Sequence, residues 1–226
     1  MTSHVLESLL SPLDGSSPTG ENLEYDPDFM ALERLAAPKA ERAIGDSVIA
    51  AEEPDWDKVS SQAEALFERS KDLRVAVYLT TAWMRTTGLP GWNSGLHLIR
   101  SLLEQFWDGV HPQLDAEDDN DPTARVNAVA AVTDLQGMLG FFRTTPFVQS
   151  PRLGRFTLRD LRIANGSLKL TASEEGGAEP PGMTQIEACC MDCSLEQLTE
   201  NVAAIGTAMD HVKTIDAIFN ELYLLT

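Results

Sequence analysis

The chain has 226 residues, 43% hydrophobic and 23% charged, ordinary values for a globular protein long enough to bury a sizeable core. Its 17 basic residues face 35 acidic ones, a net charge of −18. Such a surface repels phosphate backbones and anionic membranes, which sets aside nucleic-acid binding and membrane insertion, and no run reaches the roughly 20 apolar residues of a membrane span.

The opening "MTSHVLESLL" has neither the basic flank nor the apolar run of a signal peptide. A cytoplasmic protein with reduced thiols is expected. The three cysteines, Cys189, Cys190 and Cys193, fall in one cluster without a second ligand pair. Zinc needs about four ligands from spaced pairs, so this pattern reads as helix cysteines rather than a metal site.

In chain order, "SPLDGSSPTGENLEYDP" is too rich in Gly, Pro and Ser for regular structure. Asp26-Pro27 then reads as cap and first residue of a helix. A second irregular region spans about Gly45 to Glu53. In the helix that follows, Val59, Ala63, Leu66 and Phe67 share a face with Trp56. Asp72 is placed to cap "LRVAVYLTTAWMRTTG", a segment apolar on most sides and so expected in the middle of a bundle.

Leu96, Ile99, Leu103, Phe106 and Trp107 mark a further helix, closed by Gly109. Another is expected from Asp121-Pro122 to just before Pro146. Short connections make these helices antiparallel neighbours. Asn165-Gly166 lies between two alternating apolar runs and predicts a hairpin turn, with Ile163 opposite Leu168 and Leu161 opposite Leu170. "SEEGGAEPPG" reads as a loop.

Capping boxes are expected at Thr184 with Glu187 and at Ser194 with Gln197. The second opens a long last helix, in which Leu195, Leu198, Val202, Ile205, Met209 and Val212 step by three and four as a coiled-coil seam does. Packing on the core and pairing with a second copy both fit that pattern. The chain stops at "ELYLLT" without a polar tail, as a piece of something longer would.

The predicted fold is mainly α: a multi-helix antiparallel bundle with one small β-hairpin, at about residues 155–171, packed on it. Residues 1–150 form the helical domain. Residues 151–226, the hairpin and the C-terminal helices, complete the same globular unit.

One stretch invites a chemical reading. "QFWDGVHPQLDAEDDNDPTAR", from Gln105 to Arg125, sets His111 beside six carboxylates. Asp115, Glu117, Asp119 and Asp121 alternate as the first ligands of a calcium loop do. Position 6 of such a loop is here Asn120 rather than Gly, however, and position 12 is Val126 where a bidentate carboxylate closes the cage. Acid–base catalysis needs two carboxylates in unlike environments, whereas these share one solvated loop. No nucleotide-binding, zinc-protease or serine-hydrolase motif occurs elsewhere. Catalytic, cofactor and metal residues are therefore expected to be absent. The stretch reads as a hydrated loop whose Asp115, Glu117, Asp118 and Asp119 form a candidate interaction surface. The rival is a metal-dependent hydrolase using His111 to Asp121.

"SPLDGSSPTGENLEYDPDFMALE", the Trp56 motif, the Asp72-Leu73-Arg74 helix start, "GLPGWNSGL" and Trp107-Asp108 followed by His111-Pro112 resemble, in order and spacing, the ImpA/TssA family of bacterial type VI secretion components. The resemblance covers about Ser11 to Val132. It implies a non-enzymatic part of a contractile, phage-tail-like machine, working against baseplate, tail-tube or sheath proteins in the cytoplasm. It also implies scaffold roles for Trp56, Leu73, Arg74, Trp107, His111, Pro112 and Arg125: tryptophans as core, arginines as ion-paired, His-Pro as a turn.

Overall fold

Local sequence explains where most helices begin. In the computed structural model, which describes residues 3–13, 15, 17–39, 42–44, 47–169 and 180–223, α1 spans Ser3–Leu10 and α2 Pro27–Ala36. The carboxylate of Asp26 accepts the amides of Asp28 and Phe29, as Asp-Pro predicts. Helix α3 (Trp56–Phe67) is capped by Asp55, and α4 (Leu73–Thr87) by Asp72. Helix α5 (Leu89–Phe106) follows α4 after Gly88 alone. Between α2 and α3, strands β1 (Arg42–Ile44) and β2 (Ser47–Ile49) pair antiparallel, β2 falling inside the region expected to be irregular.

The main core lies where α4 meets α3 and α5. Leu73, Val75, Ala76, Leu79, Ala82 and Trp83 of α4 are buried there, with Leu98, Ile99, Leu102 and Leu103 of α5. The nearly all-round apolar character of α4 is thus used, since α6 and α7 also pack on it. The two helices approach closely at Gly95, where a Cβ would fall 2.4 Å from the Thr80 side chain. Gly95→Ala is expected to lower the unfolding free energy by about 1–3 kcal/mol by forcing the helices apart. Helix propensity alone would raise it by about 1 kcal/mol, so the sign of the change in urea midpoint decides between packing and propensity.

The helix expected to run unbroken to Pro146 is divided. It comprises α6 (Thr123–Ala130), a 3₁₀ turn at Ala131–Thr133, and α7 (Met138–Thr144). Asp134 makes the break: its carboxylate accepts the Gln136 amide and its carbonyl accepts the Leu139 amide, so side chain and backbone compete with the helix ladder.

A small hairpin exists, but not around Asn165-Gly166. Strand β3 (Pro146–Ser150) pairs antiparallel with β4 (Gly154–Thr157), with Gln149 opposite Arg155. Ser150 Oγ accepts the amides of Arg152 and Leu153 and shapes the turn. The run expected to be the first strand is instead helix α8 (Leu158–Ala164), opened by a reciprocal box between Thr157 and Asp160. Asn165-Gly166 closes that helix, with Gly166 at φ +78° and its amide bonded to the Ile163 carbonyl. An Asn-Gly pair supplies positive φ equally well to a hairpin turn and to a helix end. The expected partner Leu170 lies outside the described residues.

Helix α9 (Met183–Asp192) starts after Gly182, whose amide donates to Gln185 Oε1, two residues earlier than the Thr184 box predicts. It packs on β3 and β4 through Val148, Phe156, Ile186 and Cys189. Ser194 Oγ accepts the Gln197 amide at the start of α10 (Leu195–Tyr223). That 29-residue helix lies along α5. Among the described residues it buries Ala204, Ala208, His211 and Ile215, a different stripe from the expected seam, of which Leu198 and Ile205 are half-buried.

Candidate functional site

Before the acidic loop there is a buried knot of main chain. The Lys71 amide donates to the Thr19 carbonyl at 2.8 Å, the His111 amide to Lys71 O at 2.9 Å, and the Leu73 amide to His111 O at 2.8 Å. His111 is 2% exposed. Its Nε2 lies 3.2 Å from Gly20 O, and because a carbonyl can only accept, that nitrogen carries the proton. His111-Pro112 turns the chain through a cis bond.

Arg125, in the first turn of α6, completes the knot. It is fully buried. Its Nε donates to Pro112 O at 2.7 Å, Nη1 to Trp107 O at 2.5 Å and Nη2 to Val110 O at 2.9 Å. The guanidinium also lies 4.7 Å from the centre of the Trp107 ring. Trp107 O is one of the carbonyls the end of α5 leaves without a helical partner, and a cation there suits the helix dipole. Burial pushes the Arg125 pKa down to about 10, so the group is still charged at neutral pH. Where an ion pair was implied, three carbonyls are held instead.

Arg74 does have a carboxylate partner. It meets the fully buried Asp72 at 2.7 Å and stacks on Phe29 at 4.9 Å. Leu73 is fully buried, while Trp56 and Trp107 are half-buried against Phe141 and Phe219. Sequence reasoning missed two further members of this base. Lys71, 1% exposed, donates from Nζ to Leu9 O at 2.7 Å, and burial pushes its pKa down to about 8. Arg69 holds Glu21, Asp26 and Asp28 together at 2.5–3.1 Å. Four charged residues in "RSKDLR" between two apolar helices were the available signal.

The acidic segment rises from this base as a tight loop. The Asp115 amide donates to Asp121 O, Asp118 to Asp115 O, and Asp121 to Asp118 O, at 2.9–3.2 Å. Asp119 and Asn120 take φ of 51° and 60°, a region open to Asp and Asn at low cost. The side chains of Asp115, Glu117, Asp118 and Asp119 are exposed. Asp121 accepts from the Thr123 amide and hydroxyl, which hold its carboxyl below the usual carboxylate range. His111 is buried in the knot, with Nε2 on Gly20 O. Among the described residues no three His, Cys, Asp or Glu side chains are grouped to hold a metal ion.

The cysteines sit at the end of α9, where burial pushes the Cys189 and Cys190 thiols up. That is opposite to what a reactive thiolate requires. No helix among the described residues is long and apolar enough to cross a membrane.

Comparison with known proteins fits this arrangement. The chain is 41% identical over 209 residues to the type VI secretion system component TssA1 of Pseudomonas aeruginosa, matching 92% of this chain and 59% of that protein. It therefore spans about three fifths of that relative's length. Its fold is similar to the N-terminal domain, including the conserved ImpA_N region, of the TssA component of the type VI secretion system from Burkholderia cenocepacia. That likeness has a TM-score of 0.70 and 25% identity, over 96% of this chain and 82% of the other. The family model described as ImpA, N-terminal, type VI secretion system matches residues 10–134, which include the knot and its acidic loop, and the chain belongs to that family.

Proposed function

We propose that this chain is a non-enzymatic structural and assembly module of a type VI secretion machine, docking in the cytoplasm on baseplate, tail-tube or sheath proteins and self-associating through α10. The observation that carries the docking reading is the exposed acidic loop on its braced base. Asp115, Glu117, Asp118 and Asp119 face water on a main chain pinned at Arg125 and His111. A rigid anionic knuckle on a chain of net charge −18 suits a basic patch on a partner. Complementary charge of this kind speeds and orients encounter more than it deepens affinity.

Capture of purified baseplate, tube and sheath subunits tests the proposal. Association rates are expected to fall steeply as salt rises from about 0.05 to 0.5 M. Asp118→Asn with Asp119→Asn should slow association roughly threefold or more while dissociation changes little. Rates indifferent to salt and to both substitutions would reject the electrostatic mechanism. Calorimetric titration with calcium, magnesium, manganese and zinc addresses the hydrolase rival. A single stoichiometric site abolished by Asp119→Asn would replace docking with metal chemistry.

A further inference from the structure

Helix α10 carries two apolar stripes, and the body uses one. Ala204, Ala208, His211 and Ile215 are buried, whereas Leu195, Val202 and Met209, seven residues apart, are 79, 64 and 55% exposed. Single exposed apolar side chains are ordinary. A row at heptad spacing is not, because that spacing keeps side chains on one strip only along a neighbouring helix.

Gly206 lies on the same outward strip, and a Cβ added there would meet nothing within 4 Å. Glycine inside a helix costs it about 1 kcal/mol relative to alanine. Among the described residues no contact within this copy accounts for that cost, while a helix approaching from outside would. Thr199 and Ala203, also exposed, leave the strip shallow on either side of Val202.

We propose that α10 pairs antiparallel with α10 of a second copy, Val202 of each seating over Gly206 of the other. Charge selects the direction. In a parallel pair in register, Lys213 and Asp216, which continue the strip, would each meet their own counterpart, adding repulsion between two copies of net charge −18. In the antiparallel pair Met209 packs beside Thr199 of the second copy. Lys213, the one basic residue of α10, covers Leu195 of the second copy and brings its ammonium to Glu196. Asp216 passes beyond the start of the partner's α10, toward the end of its α9, where Arg152 already holds Asp192. This inference deepens the self-association reading and is separate from docking: a monomer that still captures its secretion partners would sink this inference alone.

Sedimentation of the chain over a range of concentrations, in about 0.15 M salt, should show a monomer–dimer equilibrium. Val202→Glu should abolish the dimer without altering the monomer's circular dichroism, since the residue is exposed. Lys213→Glu should weaken the dimer by roughly five- to tenfold, and adding Glu196→Lys should restore it. The two residues are 17 positions apart on one helix, so only contact between copies can produce the rescue. A monomer at every concentration, or a dimer indifferent to Val202→Glu, would overturn the interface; loss without rescue would overturn the antiparallel arrangement.

Discussion

Arg125→Met is expected to lower the unfolding free energy by about 3–5 kcal/mol, a large share of the 5–15 kcal/mol typical of a folded domain. Methionine matches much of the arginine's volume but donates nothing, so the carbonyls of Trp107, Val110 and Pro112 lose their partner together. Each buried acceptor left unpaired costs about 1–3 kcal/mol, less whatever water recovers by entering. The ring contact with Trp107 is lost as well.

Arg125→Lys should recover little of this. A lysine ammonium is a point donor and cannot span three carbonyls that a planar guanidinium reaches at once. Urea unfolding of both variants measures the effect. If the lysine variant unfolds at the wild-type midpoint, charge rather than the three-way geometry holds the knot. If both do, the knot does not stabilise the fold.

Acid should undo the docking of α10 on α5 through His211. Its ring is 6% exposed and stacks on His97 with centroids 5.0 Å apart and planes 4° apart. Burial, then the nearby His97 and Arg100, push its pKa from 6.5 down to about 4, against weaker opposing pulls from Asp210 and Glu104. Folding thus favours the neutral ring. Stability is complete above about pH 6.5 and falls as pH drops from there toward 4, by on the order of 3 kcal/mol at the limit.

The carboxyls held below their usual range, Asp26, Asp55, Asp121 and Asp192, lose their contribution only below about pH 4. The two windows therefore separate. His211→Leu should flatten the stability profile between pH 6.5 and 4 relative to wild type. Parallel profiles for the two proteins across that interval would show that the histidine is not linked to folding.

What the sequence determined was local. Asp26 and Asp72 cap their helices because a carboxylate two or three residues before an amide needs no help from the rest of the fold. The α4 pattern placed that helix mid-bundle because burial on nearly every side demands nearly every side apolar. The signals that failed were local ones with two solutions. Asn165-Gly166 ends a helix as readily as it turns a hairpin, and the Thr157–Asp160 box decides the matter about two turns upstream. Likewise, the heptad step along α10 was legible, but not which stripe faces inward.

Tertiary structure decided the rest through contacts distant in sequence. The smaller Ala204–Ala208 stripe turns inward, where small side chains let α10 come close to α5, and the larger Leu195–Val202–Met209 stripe is left on the outer face of this copy. Arg125 finds carbonyls 13 to 18 residues back along the chain, and Lys71 one 62 residues back. A main-chain carbonyl belongs to every residue type and leaves no trace in composition or period, so only the folded backbone could choose those partners.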